Sequence, residues 1–412
     1  MSFKVKQFET LRSRFPTWNE LKGFITSSEG GNLRVVEQGE AAVVHYVKNV
    51  GGVEAEVQAD IFRSVVWDMK DNRPLCVAPF RARTGAPPLN TTLSATEDCV
   101  DGFMMNVWVV GGVLNLCTRT KVGGDNKFYS DKSFGKMFDE CLANTRVKTR
   151  ENLTKHLEEL RVQENATSVF ASFVLQHPEH RIVSKPVNPS LFMVHTGYVV
   201  DSGLVHISER AVNWPESFAA LQVPSYPVRM FHSEEDINNL LSRTAVQHGW
   251  RWQGLVFKDG HGGRWRLRTA TYNMLRQLRG GESTPLERFF RLRQQKKVVE
   301  YLKHYGEERT QFWEFEQNLR ARTADVLAAY VDVHKAHAVK FMDLPEAIRP
   351  AVFVLHTLWR TELRPKNFSV RLQNAISVVN QLRPFEKKRL MEAAAYVPVS
   401  PSKPAEEEEV VA

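Results

Sequence analysis

The spacing of apolar and polar positions changes period several times along the chain, and each change predicts a change of element. A short helix is expected near residues 18–25, followed by alternating strands at 33–36 and 41–47. Residues 61–67 and 75–80 read as two further strands joined by the turn Asp71-Asn72-Arg73-Pro74. The same style continues through 91–118, with a second turn at Gly111-Gly112. There Phe103, Met105, Val107 and Val109 recur at every second position, which puts them on one core-facing side of a strand. Between 132 and 163 the period lengthens to that of a helix, and strand character returns at 169–175 and 190–200. Ser233, followed by Glu234, Glu235 and Asp236, reads as the N-cap of a helix over 233–247. A strand pair, 255–258 and 265–269, is expected around the glycine-rich turn 259–263.

Antiparallel strands with inserted helices indicate an α+β domain rather than a doubly wound parallel sheet. A boundary falls near Gly280-Gly281-Glu282-Ser283-Thr284-Pro285, giving a first domain of residues 1–282. Beyond it apolar residues recur at helical spacing (Leu286, Phe289, Phe290, Leu292, then Val298, Val299, Leu302, then Phe312, Phe315, Leu319). Further helices are expected over 326–337, 347–363 and 370–382, so residues 283–396 read as an all-helical second domain. From 397 onward Pro, Ser and the run Glu406-Glu407-Glu408-Glu409 predict a disordered acidic tail.

Composition narrows the class. At 42% apolar and 25% charged residues, the chain has the balance of a soluble globular protein. It holds no run of 18 apolar residues, so no membrane span is expected. The start, Met1-Ser2-Phe3-Lys4-Val5-Lys6, lacks the apolar region of a secretory signal, so an intracellular setting (cytoplasm, nucleus or virion) is expected. The four cysteines at 76, 99, 117 and 141 are too scattered for a zinc cluster or a disulfide scaffold, and reduced thiols are expected. His177-x-x-His180 and His334-x-x-His337 lack a third ligand nearby, so no metal site is assigned.

The net charge of +8 suits a polyanionic partner. The excess gathers between Arg243 and Arg322, where Trp250, Trp252, Trp265 and Tyr272 are interleaved, a pattern compatible with phosphate contacts plus base stacking or with a solvated basic face.

Cys99-Val100-Asp101-Gly102 stands out as a Lys-x-Asp-Gly tetrapeptide whose lysine is a cysteine. In covalent nucleotidyltransferases the amine at that position attacks the α-phosphate of ATP. Other segments follow in order: Phe62-Arg63-Ser64-Val65-Val66-Trp67-Asp68, Pro79-Phe80, Cys117-Thr118-Arg119-Thr120-Lys121, and the run from Phe173 to Val183 with its Pro178-Glu179-His180-Arg181-Ile182-Val183 turn. Gln253-Gly254-Leu255-Val256 and Arg266-Leu267-Arg268-Thr269-Ala270-Thr271-Tyr272 complete the series, before the helical stretch from Arg288 to Tyr305. Together they resemble the bacteriophage T-even RNA ligase family over roughly residues 60–395, and locally its large-DNA-virus branch.

That resemblance implies a nucleotidyltransferase domain of mixed antiparallel sheets, with ATP and Mg²⁺ as cofactors if the protein is active, and RNA as partner. It places Arg63, Asp101, Gly102, Arg119, Ser172, Gln253, Arg266 and Arg268 around a nucleotide. Cys99 takes the lysine position, and the glutamates of the third and fourth segments become Ser172 and Gln253. Carboxylates suit Mg²⁺ and a thiol supplies no such charge. Neighbouring Glu97, Asp98 and Asp101 are expected to raise the pKa of Cys99, which opposes thiolate chemistry.

Three readings stay open. The first is a degenerate member that binds nucleotide or RNA without forming lysyl-AMP. The second is an active ligase that joins 5′-phosphate and 3′-hydroxyl RNA ends through a relocated lysine, Lys121 or Lys258. Alternation puts Lys258 on the strand face opposite Gln253. The third is a fold that only packs against other proteins.

Overall fold

Valine-rich runs and alternating patterns in the first two thirds of the chain are realised as β-structure. The computed structural model describes residues 2–48, 58, 60–209, 216–228 and 230–399. In chain order the strands are β1 (Ser2–Val5), β2 (Arg34–Gln38), β3 (Ala41–His45), β4 (Val65–Asp68), β5 (Arg73–Val77), β6 (Arg83–Thr84), β7 (Ala95–Asp98), β8 (Phe103–Val110), β9 (Val113–Cys117), β10 (Ser168–Gln176), β11 (Ser190–Val199), β12 (Val205–Ser208), β13 (Ser225–Tyr226), β14 (Gly254–Lys258) and β15 (Arg264–Arg268). They form three sheets, ordered β1-β12-β11-β10-β8-β9, β13-β7-β14-β15-β6 and β2-β3-β4-β5. Neighbouring strands run antiparallel except β15 with β6. The chain falls into two units, Met1–Arg279 and Gly280–Ala412. With helices set among antiparallel sheets, the class is α+β.

β8 shows how burial on both faces follows from its composition. Met105, Val107 and Val109 pack with Met137, Phe138, Leu153 and Leu157 of the helices Phe134–Ala143 and Arg150–Gln163. Trp108, on the other face, joins Val65, Val66, Trp67, Phe8 and Phe62 in a second core. Burying a side chain of this size contributes roughly 1.5–3 kcal/mol. A third cluster, with Trp252, Leu255, Phe257 and Trp265, packs under the helix Glu234–His248. The Ser233 hydroxyl caps that helix by accepting from the Asp236 amide.

Several expected elements shift. The long helix expected over 132–163 is two helices, because Ser133 and Thr149 each cap a new start and Lys148 takes a left-handed φ of 71° between them. The strand expected at 61–67 begins only at Val65, although Ile61 and Phe62 are buried beneath it. Gly111 and Gly112, at φ 57° and 74°, make the two-residue turn between β8 and β9 that their pairing expects.

Every regular element among the described residues of the second unit is a helix. The stretches expected at 312–319 and 326–337 are one helix, Arg309–His334. A terminal helix, Pro384–Glu392, was not expected from the spacing. In the core of this unit Tyr301 stacks on Phe312 and Phe289 meets Phe312 edge-on, beside a buried Arg288–Glu308 ion pair at 2.9 Å. The Val399 amide and the Tyr396 hydroxyl donate to Asp332 at 2.9 and 2.8 Å. The acidic run 406–409 lies outside the described residues. Among the described residues no helix is long and apolar enough to cross a membrane.

Candidate functional site

Antiparallel pairing of β14 with β15 sets Gly254 opposite Arg268, Val256 opposite Arg266 and Lys258 opposite Arg264. Opposed residues share a sheet face, so three arginines at alternate positions project from one side. They form part of the wall of a cleft of about 1190 Å³ in the first unit. Arg63, Arg81, Arg83, Arg119 and Arg276 also line it, so eight arginines and Lys48 face four carboxylates: Asp60, Glu97, Asp98 and Asp101.

Each of those carboxylates already has a partner. Asp60 accepts from Arg81 and Arg83 at 3.0 Å each. Glu97 is paired with Lys258 at 2.8 Å. Asp98 accepts from the Tyr226 hydroxyl at 2.5 Å and the Trp252 indole N–H at 2.9 Å. Asp101 is buried and takes the backbone amides of Val183 and Ser184 at 3.0 and 2.8 Å and the Tyr272 hydroxyl at 2.5 Å. This bracket explains Asp101 and also its neighbour. A Cβ on Gly102 would lie 2.2 Å from the Leu175 carbonyl oxygen, so only glycine lets the wall approach β10.

The guanidiniums are less well served. Arg264 is only 7% exposed, yet its Nε and Nη1 find no protein acceptor. The Nε atoms of Arg266 and Arg119 are likewise buried without one. Burial, with Arg264, Arg266 and Arg119 nearby, holds the Arg63 pKa down at about 10. Unsatisfied buried donors cost roughly 1–3 kcal/mol each, more when charged, and an anion removes that cost. The wall is built for negative charge.

Cys99 lines the cleft, with its thiol pushed up to about 11. Burial is the largest cause; Asp101 adds a little, and Arg266, Arg268 and Arg264 pull the other way. The upward direction is the one expected from the sequence, with desolvation as the main cause and Asp101 a minor one. Gln253 sits beside Cys99. With its carboxamide oriented to satisfy both ends, the oxygen accepts from Nε and Nη2 of Arg268 at 2.8 Å and the nitrogen donates to the carbonyls of Cys99 and Val100 at 3.2 Å.

Of the residues singled out in the sequence, Cys99, Arg63, Asp101, Gly102, Arg119, Gln253, Arg266 and Arg268 line this cleft. Ser172, Lys121 and Lys258 do not line it. Ser172 is fully buried in β10 and donates to Asn106 at 2.7 Å. Lys121 is exposed in the turn after β9. Lys258 has no exposed surface and is held by Glu97. The alternation argument for Lys258 fails because Gly254, at φ 137°, breaks the strand's regularity beside Gln253, and both Gln253 and Val256 reach the cleft. Lys258 lies opposite Arg264 and shares its sheet face, but does not line the cleft.

As site residues, sequence reasoning missed Arg264, Arg276, Arg81, Arg83 and Lys48. Arg264 continues the alternate spacing of Arg266 and Arg268 by one step and was legible. Lys48, exposed three residues beyond β3, carries no local signal. The basic stretch also divides. Arg264, Arg266, Arg268 and Arg276 go to the cleft, while Arg288, Arg291 and Arg293 pair with Glu308, Glu282 and Glu316. Trp252, Trp265 and Tyr272 are buried and leave only Trp250 exposed among the expected stacking rings.

The residues of the cleft do not fit the Mg²⁺ that the resemblance implies, since no cleft carboxylate lacks a partner. Elsewhere Glu140, His177 and Glu179 approach one another, but the Lys132 ammonium already bridges the two carboxylates at 2.8 and 2.6 Å. His177 accepts at Nδ1 from the Glu179 amide, so Nε2 carries the proton it gives Glu140 at 2.8 Å and is no ligand. His180 is enclosed by Phe103, Tyr129 and Phe134.

No protein-family model matches the chain, and no curated protein sequence matches it. Among solved structures it is similar to a putative ATP-dependent DNA ligase from Aquifex aeolicus, at 13% identity and a TM-score of 0.36 over 88% of this chain and 86% of that one. A likeness of that size assigns neither activity nor family.

Proposed function

We propose that the first unit holds a nucleotide or the phosphorylated end of an RNA strand in the arginine cleft, without forming a covalent lysyl adduct. The observation that carries this reading is the company of Cys99. Around it stand Arg266, Arg268 and Gln253, with every cleft carboxylate engaged by another group. A thiol held near pKa 11 is protonated at neutral pH and makes a poor nucleophile. The two lysines considered as replacements lie off the cleft wall. The motif series from Arg63 to Arg268 supports descent from an RNA-ligase-like nucleotidyltransferase, in which binding outlives turnover.

Incubation of the purified chain with α-labelled ATP and Mg²⁺ tests this directly: no labelled protein band is expected. Titration with single-stranded RNA bearing a 5′-phosphate is expected to show affinity that falls steeply with salt, because counterions are released from the phosphates. A labelled adduct overturns the reading.

One observation favours the second reading, an active ATP-dependent RNA ligase. Lys48 brings an exposed amine to the cleft. On that reading the label appears and is lost in Lys48→Ala, while Lys121→Ala and Lys258→Ala retain it.

A further inference from the structure

The cleft combines a surplus of guanidinium groups with carboxylates that all have partners, and this bears on the form of ligand it takes. Nucleoside triphosphates in water travel as complexes of Mg²⁺, which occupies phosphate oxygens and is normally held by one or two protein carboxylates. Here Asp60 and Glu97 are neutralised by Arg81, Arg83 and Lys258. Asp98 and Asp101 are occupied by hydroxyl, indole and amide donors. A divalent ion entering with the ligand would meet arginines and no waiting acid.

Arg264 supplies the second observation. It lines the cleft, is more than nine-tenths buried, and has two N–H-bearing atoms that no protein acceptor reaches. Arg266, beside it on the same strand face, has a buried Nε in the same condition. A guanidinium meets phosphate oxygens in pairs along its planar fork, and it needs those oxygens free of metal.

We infer, resting on the non-covalent reading above, that the cleft takes a triphosphate in its metal-free form, with Arg264 and Arg266 in the place where related chemistry uses a divalent cation. Guanidinium charge neutralises the phosphates, and Mg²⁺ competes with the protein for the ligand instead of completing the site.

The test is calorimetric titration of the full chain with ATP and, separately, with inorganic tripolyphosphate, in EDTA and in excess MgCl₂ at matched ionic strength. Both probes are expected to bind in EDTA, and Mg²⁺ is expected to weaken each about tenfold. Arg266→Gln, checked by its melting curve, is expected to lose about tenfold in EDTA through one missing charge-assisted contact, and to respond less to Mg²⁺. Arg264→Gln is the companion variant, whose deeper burial makes its folding the first thing to check. Binding that Mg²⁺ strengthens or leaves unchanged overturns the inference while non-covalent holding survives. Unaltered affinity in a folded Arg266→Gln protein also overturns it. If neither probe binds in EDTA the inference falls, and the RNA titration decides the broader reading separately.

Discussion

The Gln253 carboxamide joins Arg268 to the backbone of Cys99. Its oxygen takes both Nε and Nη2 of the guanidinium at 2.8 Å and its nitrogen reaches the Cys99 carbonyl at 3.2 Å. An amide can do this because it donates and accepts at once; a carboxylate only accepts.

Gln253→Glu therefore does not open a metal site. The new acid would be held by Arg268 and would face two carbonyls that had lost their donor. A loss of about 1–3 kcal/mol is expected, read as a fall in melting temperature, with no gain in Mg²⁺ affinity. Tighter Mg²⁺ binding by this variant would contradict the account.

Cys99→Lys returns an amine to the tetrapeptide position without returning a free acid. No labelled adduct is expected with α-labelled ATP and Mg²⁺, because the phosphate-facing wall lacks a group to hold the metal. A stable phosphoramidate on residue 99 would show that the carboxylates are dispensable.

The Cys99 thiol should alkylate slowly at pH 8. Its pKa of about 11 leaves little thiolate there, so the rate with iodoacetamide is expected to climb from pH 8 to pH 11. Tripolyphosphate in EDTA should slow the reaction, since Cys99 shares the wall with the arginines. Mass spectrometry of the modified peptide separates Cys99 from the buried Cys76, Cys117 and Cys141.

Lys258→Met leaves Glu97 buried and unpaired, and a loss of about 3–5 kcal/mol is expected. The double variant Lys258→Met, Glu97→Gln should recover much of it, as chemical denaturation of the two proteins would show. If the single variant is as stable as the parent, the buried ion pair does not stabilise the first unit as argued.

Acid should loosen the first unit. Burial among Phe103, Tyr129 and Phe134, with Arg279, His177 and Arg276 nearby, holds the His180 pKa down at about 4. The unfolded imidazole titrates near 6.5, so between these values the unfolded state binds more protons and stability is lost as pH falls. The full difference amounts to about 3 kcal/mol for this one group. His180→Phe is expected to flatten the decline between pH 6.5 and 4, though not abolish it, because buried His195 shifts the same way. An unchanged slope would place the acid sensitivity elsewhere.

Alternation was the readable part of this chain. It located β8, β10, β11, β14 and β15, because residues such as Met105 and Val107 have to bury at every second step. It also pointed at Arg266 and Arg268 as a pair. It did not show that Trp252 and Tyr272 serve the interior, since a ring that packs and donates to Asp98 or Asp101 looks the same in sequence as one waiting for a base. The placement of Ser172 and Lys258 escaped it for a related reason. Both depend on a side chain of a neighbouring strand, Asn106 directly opposite Ser172 and Glu97 diagonal to Lys258, and that is a property of tertiary pairing. The helix break at Lys148 was hidden because the capping residues Ser133 and Thr149 lie within a stretch whose overall period is helical.

The carboxylate of Asp101 gathers amides from residues 183 and 184 and a phenol from residue 272. Those anchors leave the ribosome far apart in time, and the last of them only when the first unit is almost fully synthesised. Until Tyr272 emerges, a growing chain can build its first strands but cannot close the wall that its arginines need. The pocket is accordingly among the last parts of the unit to exist during translation, and a fragment ending before that tyrosine should carry the charge without the shape to use it.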